Sequence, residues 1–78
     1  MFATVNFIIT VTILKILGAN LKRERIKRNL SQEELAEKAG LHRTYIGMIE
    51  RAERNISLTT AEKLAKAINI SVSSLFKG

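Results

Sequence analysis

The stretch Gln32-Glu33-Glu34-Leu35-Ala36-Glu37-Lys38-Ala39-Gly40-Leu41-His42-Arg43-Thr44-Tyr45-Ile46-Gly47-Met48-Ile49-Glu50-Arg51 spaces its apolar residues at helical intervals on either side of Gly40. Ser31 stands just before it, with Glu34 three residues on. That is the capping-box spacing, in which the Ser oxygen accepts a backbone N–H and the Glu reaches back, so a helix is expected from Gln32 to about Lys38. Gly40 then ends it, because a residue with a Cβ adopts positive φ only at a cost. A further short helix is expected over roughly Arg43 to Arg51, with Ile46 and Ile49 on its inner side. Only Ala39 to His42 join the two, too few residues for a broad antiparallel hairpin and right for a sharp turn. Leu35, Ala39, Leu41, Ile46 and Ile49 supply the inward positions, and Ala36 is small where the two helices must cross closely.

Working outward, Leu14, Leu17 and Leu21 open a first helix that should end near Arg28 or Asn29. Lys22, Arg23, Arg25, Lys27 and Arg28 crowd its later turns, as a solvated basic face or a source of long-range attraction for an anion. Downstream, Thr59 and Glu62 repeat the capping-box spacing ahead of the stripe Ala61, Leu64, Ala65 and Ile68, and Ser71 can cap a fifth helix carrying Val72, Leu75 and Phe76. The composition breaks near Gly18, which divides the chain into an apolar arm over residues 1–15 and a domain over 16–78. In the arm Ala3, Val5, Phe7, Ile9, Val11 and Ile13 alternate with Thr4, Asn6, Thr10 and Thr12, Ile8 being the exception. Such β-branched alternation predicts a strand over residues 2–13, paired with its copy from another subunit; extension of the first helix or a disordered tail is the alternative. The fold class expected is all-α, five helices with an N-terminal β-strand arm.

Composition narrows the chemistry. A chain of 78 residues buries only ~60% of its unfolded surface, so a partner subunit is expected. There is no Cys, Trp or Pro, all seven acidic residues are Glu, and His42 is the single histidine. Neither a Ser-His-Asp triad nor a multi-ligand metal site can be built from one such chain, so no enzyme activity, metal or cofactor is expected. Absence of Cys suits the reducing cytoplasm. Thirteen Lys and Arg against seven Glu give a net charge of +6, which calls for a polyanion, either nucleic acid or an anionic membrane surface. No Lys or Arg precedes the apolar leader, as a secretion signal would require. The fourteen residues from Met1 to Leu14 fall short of the roughly 18 to 20 that a spanning helix needs.

The short turn containing glycine makes the Gln32–Arg51 stretch a helix-turn-helix arrangement. In that motif the N-terminal half of the second helix enters the major groove. Arg43, Thr44 and Met48 point away from Ile46 and Ile49, toward base edges. Arg43 can pair with guanine O6 and N7 or bind a phosphate; Thr44 offers a methyl for thymine or a hydroxyl for phosphate or base. Tyr45 reads as a phosphate donor or a packing residue, and His42 as a cap or a phosphate contact. Ser31 and Gln32 open the preceding helix, where free amides favour a phosphate oxygen. Val72, Leu75 and Phe76 make an apolar surface too large for one short helix to hide.

From Leu17 to Phe76 the chain resembles the five-helix Cro/repressor-type helix-turn-helix domain, through Leu30-Ser31-Gln32-Glu33-Glu34-Leu35-Ala36 and Ser71-Val72-Ser73-Ser74-Leu75-Phe76. Gly40-Leu41-His42-Arg43-Thr44-Tyr45-Ile46, Ile49-Glu50-Arg51 and Arg54-Asn55-Ile56-Ser57-Leu58 are similar to the controller proteins of restriction-modification systems, which are dimeric transcription factors. The resemblance implies a sequence-specific regulator that binds palindromic double-stranded DNA as a homodimer, with RNA polymerase a further candidate partner. It implies that Arg51, Arg54 and Asn55 lie over the DNA backbone, that Arg25 and Glu50 form a buried pair inside the domain, and that the two-fold contact is at Val72, Leu75 and Phe76. Two departures stand out: Gly47 where the subgroup usually has Ser, and Ala52 where the family usually ends this helix with glycine. The first fifteen residues have no counterpart; they would add to the dimer or link dimers into a higher oligomer. Phage-type repressors and antitoxins share most of these motifs. A membrane-surface protein whose residues 1–18 insert would explain the leader but leave the helix-turn-helix pattern unused, so no membrane partner is expected.

Overall fold

In the computed structural model, which describes residues 2–78 with side chains from Thr4 onward, the first element is one continuous helix, α1, over Phe2–Lys27. The strand expected over residues 2–13 is therefore a helix, and Met1 of the arm lies outside the described residues. A lone strand leaves its backbone N–H and C=O groups unpaired, whereas a helix pairs them within the segment. Extending a helix already held by packed residues downstream also avoids the nucleation cost. Thr10 and Thr12, the polar half of the alternation, turn their hydroxyls back to donate to the Asn6 and Ile8 carbonyls at 2.9 and 2.8 Å.

α2 (Gln32–Ala39), α3 (Arg43–Glu50), α4 (Leu58–Ala67) and a C-terminal 3-10 helix (Val72–Phe76) follow. Among the described residues there are thus four α-helices, one 3-10 helix and no strand; the expected fifth α-helix is this tighter turn. Leu17 and Leu21 of α1, Leu35 of α2, Ile46 and Ile49 of α3, Leu64 of α4 and Leu75 are fully buried together. Gly18 is buried within α1, and a Cβ there would stand 2.6 Å from the Ile49 carbonyl oxygen and 2.8 Å from that of Glu50. The missing side chain lets the last turn of α3 lie directly on α1.

The four α-helices end alike. Residues just past each last turn take positive φ: Asn29 at 55°, Gly40 at 69°, Ala52 at 60° and Asn69 at 55°. The next amide in each case reaches back to an orphan carbonyl, as Leu41 N does to Ala36 O at 2.9 Å and Glu53 N to Met48 O at 2.9 Å. Ala52 adopts the left-handed cap that the family usually gives to glycine, although its Cβ disfavours it. At the helix starts, Ser31 and Glu34 form the capping box in full. No box forms at Thr59 and Glu62; a simple cap lies two residues upstream, where extended Ser57 accepts the Thr60 N–H. Leu58 is thereby the first helical residue, which a sequence reading anchored on Thr59 excludes.

Asn20 carries a buried polar side chain in α1. Its Nδ2 donates to the Leu75 and Lys77 carbonyls at 2.9 and 2.8 Å, and its Oδ1 accepts from Arg23. It ties the C-terminal segment to α1, and the sequence reading missed it because a lone Asn in a helical run looks solvated.

Candidate nucleic-acid interface

α2 supports α3 through the Gly40 turn, where α2 closes with amides bonded to the Ala36 and Glu37 carbonyls. No neighbouring atom crowds the place of a Cβ on Gly40, so the requirement there is backbone conformation and not space. α3 buries Ile46, Gly47 and Ile49 and leaves Arg43, Thr44 and Arg51 exposed, with Tyr45 and Met48 half-buried. His42 caps the helix: its Nδ1 accepts the Thr44 N–H at 3.1 Å. His42, Thr44, Tyr45, Met48 and Arg54 line an open depression of about 290 Å³. The Arg54 guanidinium lies 5.6 Å over the Tyr45 ring, a cation–π contact that links the loop after α3 to the helix face.

Behind that face sits a charged brace. Arg25 of α1 donates from Nε and Nη2 to the two carboxylate oxygens of Glu50, at 2.7 and 3.0 Å, and from Nη1 to the Leu30 carbonyl at 2.8 Å. The Glu50 carboxylate pushes the Arg25 guanidinium above its ordinary pKa, which keeps Arg25 charged. The Gln32 Nε2 donates to Glu50 Oε1 at 3.0 Å, which joins the start of α2 to the same brace and leaves its backbone amide at the helix start. Gly47 lies against these groups: a Cβ there would come 3.0 Å from an Arg51 Nη1 and 3.4 Å from Gln32 Oε1. Arg51 folds over this gap and pairs with Glu53 at 3.0 Å, which holds its guanidinium above the ordinary range.

The free chain also holds Arg43 in check. Glu33, in the first turn of α2, accepts from Arg43 Nη1 at 3.3 Å, both side chains being exposed. The sequence reading missed Glu33 because the two residues are ten apart and only the bend at Gly40 brings them together. Ser31 is exposed and occupied as the α2 cap, and Asn55 lies exposed in the loop after α3. At the C-terminal end Phe76 is 37% exposed and Val72 half-buried, but Leu75 is fully buried within the protomer. Leu75 is thus core, supporting the surface from beneath, where the sequence reading had put it on the interface.

The arrangement of a supported helix, an outward row of Arg, Thr and Met, and flanking guanidinium groups can read base edges and grip phosphate. A helix-turn-helix family model matches residues 21–75. Control protein C.SmaI of Serratia marcescens is 57% identical over 63 residues, covering 81% of this chain and 75% of that protein. The crystal structure of the restriction-modification controller protein C.AhdI from Aeromonas hydrophila superposes with a TM-score of 0.79 at 44% identity, over 81% of this chain and 96% of that one. The biofilm regulator SinR, solved in complex with DNA, superposes with a TM-score of 0.75 at 35% identity, over 78% of this chain and 98% of that one. With the model match spanning the packed helices and the bend at Gly40, the chain belongs to the helix-turn-helix family and is homologous to the restriction-modification control proteins.

Proposed function

We propose that this chain is a transcriptional regulator of the restriction-modification controller type, acting in the cytoplasm as a homodimer on palindromic double-stranded DNA. The observation that carries this is the outward face of α3, Arg43, Thr44 and Met48 over a floor braced by Arg25, Glu50 and Gln32. Arg43 is the base reader, leaving Glu33 for guanine O6 and N7. Thr44 and Met48 contact neighbouring base edges. Arg51, Arg54, Tyr45, Asn55 and the start of α2 at Ser31 and Gln32 set register on the phosphates. His42 acts by capping α3.

Selection from random-sequence duplexes tests the reading. Enrichment of an inverted repeat with half-sites about one helical turn apart is expected, since two copies of α3 must reach successive major grooves on one side of the duplex. Arg43→Ala should flatten discrimination between the selected site and random DNA, whereas Arg54→Ala should weaken both alike. Recovery of no repeat, or two variants that behave identically, overturns the assignment.

A further inference from the structure

Gly47 stands in the interior of α3, where glycine forms helix worse than any residue but proline. Its backbone is ordinary α-helix, Gly40 being the glycine with positive φ, so no turn calls for it. Close passage of another backbone, the reason for Gly18, does not call for it either. The atoms that a Cβ on Gly47 would meet are the ends of side chains: Arg51 Nη1 at 3.0 Å, Gln32 Oε1 at 3.4 Å and Arg51 Cζ at 3.8 Å. These side chains cover Gly47, which is buried, so DNA does not reach its backbone directly. The gap is filled by the Arg51 guanidinium.

The helix explains how it gets there. Arg43, Gly47 and Arg51 follow one another at intervals of four and form one column on α3, with the two arginines exposed and Gly47 buried between them. Side chains on a helix lean toward its N-terminus and cover the turn ahead of their own Cα. The course of Arg51 therefore runs over position 47, where any side chain would stand in its way. With none, the guanidinium lies about one turn, ~5 Å, back along α3. Arg51 Nη1 and Gln32 Oε1 both lie within 3.4 Å of the point a Cβ would occupy, so the guanidinium is a neighbour of the first residue of α2. Glu53 accepts from Nε at 3.0 Å, which leaves the Nη1 end over Gly47 to donate. The start of α2 offers its own amides and the positive end of its dipole at the same place, a setting that suits a phosphate oxygen.

We propose that Gly47 is a positioning residue for the phosphate contact: its missing side chain lets Arg51 reach back beside the start of α2, where guanidinium and amides grip the same stretch of DNA backbone. This rests on the assignment of Arg51 to the phosphates above, and goes beyond it in giving Gly47 a role. Anisotropy titrations of the full chain test it, with the selected inverted repeat and a random duplex at several salt concentrations. The variants are Arg51→Ala, Gly47→Ala, Gly47→Leu and Gly47→Leu/Arg51→Ala, each also followed by a thermal melt. Arg51→Ala should weaken binding to both duplexes and make the log–log salt slope shallower by about one for each subunit bound. Gly47→Leu should do the same, and Gly47→Ala, from which the end of Arg51 need only shift slightly, less in the same direction. The double variant should bind no more weakly than Arg51→Ala, and Gly47→Ala should melt no lower than wild type, alanine being the better helix former. An unaltered slope in both Gly47 variants beside a shallower one in Arg51→Ala overturns this proposal alone. A double variant much weaker than Arg51→Ala overturns it too, since DNA would then approach Gly47 itself, and so does a lowered melt of Gly47→Ala, which would make Gly47 a packing residue. Should Arg51→Ala bind as wild type does, the phosphate assignment of Arg51 falls and this proposal with it.

Discussion

Ala52 holds a conformation, φ 60°, that three other helix ends in this chain assign to Gly or Asn. The left-handed region brings Cβ toward the next carbonyl oxygen at roughly 1–2 kcal/mol, yet the Glu53 N–H must reach Met48 O to close α3. Ala52→Gly should therefore stabilise the protein by about 1 kcal/mol. Urea denaturation checks this, and a neutral or destabilising result would mean that glycine's extra freedom in the unfolded chain outweighs the relieved strain. The Arg25–Glu50 pair lies at the opposite extreme. Glu50 is almost wholly buried and shared among Arg25 and Gln32, so Glu50→Gln leaves an uncompensated guanidinium, at a cost of about 3–5 kcal/mol. A loss below about 1 kcal/mol would show that water reaches Arg25 when its partner is gone.

At the level of elements, the crossing of α1 and α3 depends on a glycine without unusual backbone geometry. Gly18→Ala puts a Cβ against two main-chain carbonyls that cannot rotate away, so overpacking should cost about 1–3 kcal/mol, even though alanine is the better helix former. A thermal melt that rises instead would show that the helices can separate. The start of α2 makes a pH-dependent prediction. The Ser31 N–H donates to the Glu34 carboxylate and holds its pKa below the ordinary 4.5. A carboxyl whose folded pKa is lowered adds stability that is complete above its unfolded pKa and lost as pH falls through the folded one. Wild type should thus exceed Glu34→Gln at neutral pH, the gap closing below about pH 4.5, as denaturation midpoints across pH would record. Ser31, Glu34 and Gly40 were legible because a cap is a local arrangement of three or four residues. The α4 cap was not, since Ser57 and Thr59 both satisfy the local rule and only packing of Ala61, Leu64 and Ala65 chooses the helix phase.

Over the whole molecule, 41 Å long and about 20 Å across, α1 supplies the long dimension and the net charge of +6 supplies the attraction for DNA. Each phosphate neutralised lowers affinity with salt at a log–log slope of about −0.9. Arg54→Ala should make the slope shallower by about one for each subunit bound, in titrations of a selected site at several salt concentrations. An unaltered slope would free Arg54 from the phosphates and leave it to brace Tyr45. The sequence by itself determined the helix-turn-helix pair, its turn at Gly40, the apolar core positions and the outward row on α3, because periodicity, caps and a single positive-φ glycine act over a few residues and leave their mark in order. Five things were decided only in three dimensions: the helical state of residues 2–13, the phase of α4, the burial of Gly18 and Leu75, the Asn20 tie and the Glu33–Arg43 pair. Each depends on groups far apart in the chain, or, for the arm, on whether a backbone finds its hydrogen bonds within its own helix or across to another strand. Alternation along a segment records side-chain preference and says nothing about where those backbone partners are.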